Sequence, residues 1–184
     1  MLKRLRHAAG FSIIELMIVV ALIGVVLMLG VPSIAEFLQS QQIRVASDAV
    51  LNGLQVARAE AIRRNLSVEV AISVPETGWV VSESVSRTVI QRREHQEGSR
   101  NANVMTNPGG ATTVTFTPLG GVTGNEDGSF PVTQFDIDNP AGGACALASG
   151  PMRCLRILVT GGGSLRMCDP KLPVTTPPDP RACP

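Results

Sequence analysis

Apolar positions change their period twice along the chain. From Phe11 to Ala35 almost every residue is apolar, and Glu15 is the only charge in these twenty-five residues. As a helix the stretch would measure about 37 Å at 1.5 Å per residue. That exceeds the roughly 30 Å hydrocarbon layer of a bilayer and predicts a transmembrane helix. From Ser33 to Asn65 there is no proline and one glycine, Gly53. Val45, Ala46, Ala49, Val50, Gly53, Leu54, Val56, Ala57 and Ala61 keep spacings of three and four, with Arg44, Asp48, Arg58, Arg63 and Arg64 mainly between them. This is the pattern of an amphipathic helix. The two stretches predict one helix from Phe11 to about Asn65, apolar all round at first and one-sided afterwards. Pro32 removes a bond to the Met28 carbonyl and is expected to bend or loosen it. Asn65 tolerates the left-handed conformation that ends many helices.

After Ser67 the period becomes two. Val68, Val70 and Ile72 alternate with polar or small residues, and strands are expected at Trp79–Ser84, Arg87–Gln91, Thr112–Thr117, Thr133–Ile137, Cys154–Thr160 and Ser164–Met167. Gly, Pro, Asn and Asp clusters separate them. The polar stretch from Gln91 to Asn103 reads as an exposed loop. The fold class expected is α+β: a long N-terminal helix packed on a C-terminal antiparallel sheet or small sandwich. With no Tyr and one Trp, the core must come largely from Val, Ile, Leu and Ala.

Charge refines the first segment. Lys3, Arg4 and Arg6 precede the apolar run and hold the N-terminus cytoplasmic, which places the rest of the chain in the periplasm. The apolar run exceeds the 7–15 residues of a secretory signal peptide, and no small-residue cleavage site follows it. A carboxylate in such a run costs about 2.5–3.5 kcal/mol and marks a functional position by default. After residue 10 the chain holds thirteen basic and fifteen acidic side chains. Overall charge therefore gives no sign of nucleic-acid binding, which would need a local patch.

Gly10-Phe11-Ser12-Ile13-Ile14-Glu15 resembles the prepilin processing motif of type IV pilins and type II secretion pseudopilins. The resemblance implies a leader, 1–10, removed by the prepilin peptidase between Gly10 and Phe11, with N-methylation of Phe11. Residues 11–35 then form a transmembrane and assembly helix, 36–65 its amphipathic half, and 66–184 a periplasmic β-rich domain. Glu15 falls on the fifth mature position, where the family carries a glutamate, and the resemblance implies that it pairs with the methylated terminal amine of a neighbouring subunit. Pro32 falls where many pilins carry a kinking proline. The inner membrane before assembly, and other minor and major pilins afterwards, are the implied partners.

Leu51–Asn65 is similar to the end of the long helix in the FimT/FimU/GspH group. Thr115–Gly120 resembles the end of a strand in the same domain, more weakly. Cys168-Asp169-Pro170 and Asp179–Pro184 resemble the C-terminal segment of FimT and FimU proteins. The resemblance implies a minor pilin near the pilus tip that helps start assembly. For FimT-like members it also implies non-specific binding of double-stranded DNA during natural transformation. The FimT motif G-R-x-R corresponds to Gly163-Ser164-Leu165-Arg166, so Ser164 replaces one arginine. Arg166, Lys171 and Arg181 are the remaining candidates for DNA contact, and Arg92, Arg93 and Arg100 form a second cluster interrupted by Glu94 and Glu97. A GspH-type pseudopilin of a type II secretion system is the alternative.

Cys145, Cys154, Cys168 and Cys183 lie on the side expected to be oxidising, which favours disulfides. Three connectivities are open; pairing in sequence order, Cys145 with Cys154 and Cys168 with Cys183, closes the shortest loops. The spacings contain no C-x-x-C pair, so no metal site is expected. His7 lies in the leader and His95 in a polar stretch, and Gly161–Gly163 lacks the lysine of a phosphate loop. No nucleophile, base and orienter come together in the sequence, so neither an enzyme nor a cofactor is expected.

Overall fold

The computed structural model describes residues 11–177 and 179–184. The chain divides into two compact units, Met1–Ala35 and Glu36–Pro184. Helix α1, Ile13–Arg64, belongs to both. In the first unit every large apolar side chain described from Ile13 to Met28 is exposed, from 44% at Val19 to 82% at Met28. The Leu16 amide donates to the Ser12 carbonyl (3.1 Å), so Ser12 caps the helix and Glu15 lies in its first turn. The helix dipole favours a carboxylate there. Pro32 falls within α1, but the side chains of 29–33 lie outside the described residues. Among the described residues no helix is long and apolar enough to cross a membrane.

In the second unit α1 buries Ile43, Ala46, Val50, Leu54, Ala57 and Ala61. Their spacing of three and four puts them on one stripe. The stripe is rotated from the expected one: Val45 is 41% exposed, while Ile43 and Ser47 are buried. The Ser47 hydroxyl donates to the Ile43 carbonyl within the helix, so its burial leaves nothing unpaired. At the C-terminus Asn65 takes φ 54°. The Leu66 amide reaches back to the Ala61 carbonyl and the Asn65 amide to Ile62, each at 3.3 Å. This double closure ends the helix and turns the chain into the first strand.

Nine strands follow: β1 Val68–Ile72, β2 Trp79–Glu83, β3 Val89–Arg93, β4 Asn103–Asn107, β5 Thr113–Phe116, β6 Val122–Thr123, β7 Gln134–Asp138, β8 Leu155–Val159 and β9 Leu165–Cys168. They form two antiparallel sheets, ordered β3-β2-β1-β5-β6 and β4-β7-β8-β9. Val70 pairs with Val81 and Val114 in the first sheet, and Phe135 with Ile157 in the second. These side chains and the α1 stripe share one hydrophobic core. Trp79, 3% exposed, lies against α1 at Gly53, where an added Cβ would come within 2.8 Å of the indole. The glycine lets the ring approach the helix.

β4 and β6 were not expected. β4 turns only Val104 and Thr106 inward, and β6 is two residues between glycines. The supposed exposed loop from Gln91 to Asn103 is shorter than expected. β3 takes Gln91–Arg93, β4 begins at Asn103, and Ser99 and Ala102 are buried. The Ser99 and Thr77 hydroxyls bond at 2.9 Å, and the Val104 amide donates to the Pro75 carbonyl at 2.7 Å. Ser99 and Thr77 thus satisfy each other out of water, while Arg92, Glu94, Gln96, Glu97 and Arg100 stay exposed as expected.

Candidate functional site

Gly10 and the rest of the expected leader lie outside the described residues. Phe11 is 82% exposed and Glu15 is exposed in the first turn of α1.

The C-terminal tail is held by a disulfide, ion pairs and backbone hydrogen bonds. Cys145 is bonded to Cys154 and Cys168 to Cys183, with Cα atoms 5.5 and 5.1 Å apart. The second bond ties the last residues to the end of β9. Asp169, 6% exposed, organises what lies between. One carboxylate oxygen accepts the Lys171 amide at 2.9 Å, forming a local turn. The other accepts Nε and Nη2 of Arg153 at 3.2 and 2.7 Å. The Asp169 amide donates to the Arg181 carbonyl at 2.7 Å. A nearly buried carboxylate with three donors is a satisfied one. Sequence reasoning passed over Asp169; the signal available was an Asp-Pro pair after a cysteine, which favours a turn.

The expected DNA-contact residues do not form a uniform set. Arg166 is exposed, but its Nη2 donates to the carbonyls of Pro180 (3.1 Å) and Ala182 (2.9 Å). It clamps the tail to β9. Arg181 is paired with Asp179 at 2.9 Å, and this hydrogen bond holds the Asp179 carboxyl below its usual range. The Lys171 side chain is exposed. In the second cluster Arg93 turns inward, donating to the Thr77 carbonyl, the Glu97 carbonyl and the Ser99 hydroxyl, while burial lowers its pKa. Arg92 and Arg100 are exposed.

The stretch matching G-R-x-R has a clear local logic at its glycine. Gly163 is buried with φ 78°, and a Cβ there would collide with the Gly120 carbonyl. That same carbonyl accepts Arg58 Nε of α1 at 3.0 Å. The Val122 amide donates to the Gly161 carbonyl at 2.9 Å, so the turn before β9 joins the edge of the first sheet. Glycine at 163 is therefore a packing requirement. Ser164 is exposed in a groove beside Gln55, Arg58 and Ile62.

A cleft of about 430 Å³ opens beside the tail. α1 contributes Arg44 and Asp48, the β8 approach Arg153 and Leu155, β9 Met167, and the tail Leu172 and Arg181. Among the described residues no group of three or more His, Cys, Asp or Glu side chains is arranged to hold a metal.

The model of a family described as type II transport protein GspH matches residues 46–163, and that of the prokaryotic N-terminal methylation motif matches residues 5–31. No curated protein matches the sequence. Among solved structures, the type IV minor pilin FimU of Pseudomonas aeruginosa is similar in two crystal forms. One gives 14% identity and a TM-score of 0.50 over 67% of this chain and 90% of that one. The other gives 15% and 0.51 over 71% and 91%. The minor pseudopilin EpsH of the Type 2 Secretion System of Vibrio cholerae aligns at 14% identity and TM-score 0.49, over 70% of this chain and 98% of its own. At these identities the FimU likeness speaks for the fold alone. The GspH match spans more than half of the chain and the methylation motif precedes it, so this protein belongs to the type II transport protein GspH family of pilin and pseudopilin subunits.

Proposed function

We propose that this chain is a minor type IV pilin that sits near the pilus tip and helps initiate filament assembly. The observation that carries the reading is the first half of α1, whose apolar side chains are exposed on every side behind Phe11 and Glu15. Such a helix is stable only in lipid or among other apolar helices. The prepilin peptidase cuts between Gly10 and Phe11, and Phe11 is then N-methylated. With residues 29–33, whose side chains lie outside the described residues, the apolar run from Phe11 to Ala35 has the length for one crossing of the inner membrane before assembly, N-terminus cytoplasmic and domain periplasmic. Glu15 pairs with the terminal amine of a neighbouring subunit, a charge pair that is costly to break once desolvated.

A GspH-type pseudopilin is the competing reading, supported by the description of the matched family. Deleting the gene tests the two together. Loss of surface pili in electron micrographs, with protein secretion intact, supports the pilin. Loss of secretion with normal pili overturns it. Mass spectrometry of the mature chain should find N-methylated Phe11 at its start.

DNA contact is a secondary role, supported by the exposed Lys171 and Arg181 on a tail held by Cys168–Cys183. Binding should be weak, sequence-independent and steeply salt-dependent. Ser164→Arg should strengthen it and Arg181→Ala weaken it in a gel-shift titration at two salt concentrations. No shift at low salt for either the wild type or Ser164→Arg would remove this role.

A further inference from the structure

We infer that the groove between α1 and the turn before β9 is a binding site for one oxyanion of the phosphate class. Arg58 is its centre, and it is half-buried. Its Nε donates to the Gly120 carbonyl at 3.0 Å. A Cβ added at Gly120 or Gly163 would come within 3.1 or 3.2 Å of that same nitrogen, so two glycine turns close on the guanidinium and fix its place. Nη1 and Nη2 have no partner among the described residues, and no carboxylate there pairs with Arg58. A half-buried cation without a counter-ion is stabilised by an anion that reaches it. The groove also holds uncharged donors. Gln55 lies one turn before Arg58 on the same face of α1. The Ser164 hydroxyl and the Gly162 amide come from the turn. None of these three has a partner among the described residues. Ala59, Ile62 and Leu165 complete the lining, and apolar neighbours weaken the screening of charge.

The surroundings select the anion. The clefts beside the tail and beside Trp79 both contain Asp48, and each sets a further carboxylate on an arginine: Asp169 on Arg153, and Glu97 on Arg93. No carboxylate lines this groove, so its charge is uncompensated. Two adjacent Nη donors match two oxygens of a tetrahedral anion, and the hydroxyl and amides suit the others. A carboxylate has only two oxygens and would leave the donors of the turn unused. No Phe or Trp lines the groove, so a nucleobase finds no platform there. The recognised group is the phosphate itself, as a free ion or as a diester.

The test uses the full chain, isotope-labelled, in uncharged detergent micelles. Inorganic phosphate replaces chloride at constant ionic strength. The amide signals of Gly162 and Ser164 and the Nε–H signal of Arg58 should shift together and saturate. Ala59→Glu sets a carboxylate beside Arg58 from an exposed helix position and should weaken binding at least tenfold. Ser164→Ala should weaken it about fivefold with the melting temperature unchanged. Arg58→Gln should abolish it; if that variant unfolds, Ala59→Glu decides. Shifts that never saturate, or an Ala59→Glu variant that titrates like the wild type, overturn the site. A twelve-base-pair duplex separates the two sources. Movement of the same signals by the duplex, lost in Ala59→Glu, supports the site as one for a diester. Movement by inorganic phosphate alone supports it as one for the free ion. These signals involve neither the tail arginines nor filament assembly, so failure here leaves both proposed roles to their own tests.

Discussion

The two halves of α1 obey opposite rules. Behind Phe11 the helix exposes every large side chain described up to Met28, whereas beyond Gln42 it buries a stripe from Ile43 to Ala61 under two sheets. The apolar content of the first half is no less than that of the second. What differs is where the partners come from. The second half finds them in its own chain, so its side chains determine domain stability. The first half has no such partners among the described residues, and on the function proposed above it finds them in lipid or in other chains, where its side chains determine assembly. A uniform helix thus divides into one part read by folding and one part read by association.

Substitutions in the buried stripe should break the domain most. Leu54→Ala should cost about 2–5 kcal/mol, because the side chain is fully buried and leaves a cavity. Chemical denaturation of the full chain in micelles measures it. Replacing Cys168 and Cys183 together by serine should cost about 3 kcal/mol in the chain-entropy account, and limited proteolysis should then cut within the tail. Gly53→Ala gains helix propensity but drives a Cβ into Trp79. The net should be a loss of about 1–2 kcal/mol, with a changed tryptophan emission. If Gly53→Ala stabilises, the indole is not held against the helix as described.

Acid should act more gently. Hydrogen bonds from Arg63 and then Arg64 lower the Glu60 carboxyl from 4.5 to about 2. A depressed carboxyl stabilises the fold above its ordinary pKa and loses that contribution as pH falls toward its folded value. The melting temperature should therefore decline slightly between pH 4.5 and 2, and Glu60→Gln should flatten the decline. High salt should shrink the effect, since the pairs are exposed at the surface. Glu15→Ala should leave unfolding of the domain unchanged while lowering incorporation into filaments, measured by immunoblot of sheared pili. Normal incorporation would erase the contrast between the two halves of the helix.

Much of this architecture could be read from the pattern of the chain. The helix limits, the change to period two and seven of the nine strands follow from residues that agree locally with the fold. β4 did not, because Asn103, Met105 and Asn107 look like loop residues until β7 supplies their pairing. The site was legible by residue type and not by role. Arg166 reads as a free cation, yet backbone carbonyls of the tail occupy it. Spacing holds no trace of a side chain that reaches a carbonyl brought close only by a disulfide. Arg93 was hidden in the same way, since its partners Thr77 and Ser99 come from separate loops.

The cysteine pairing also bears on the order in which the domain forms. Each ring closes over a short stretch, 9 residues for Cys145–Cys154 and 15 for Cys168–Cys183. The core instead joins Ile43 and Val50 with Ile157 and Val159, from opposite ends of the sequence. Closing a short loop has a lower entropic cost than bringing distant segments together. In an oxidising compartment the two rings can therefore close while the sheets are still unpaired. Because β8 and β9, which carry or flank these cysteines, share one core with α1 and the first sheet, a wrong pairing among the four would disturb the packing of both.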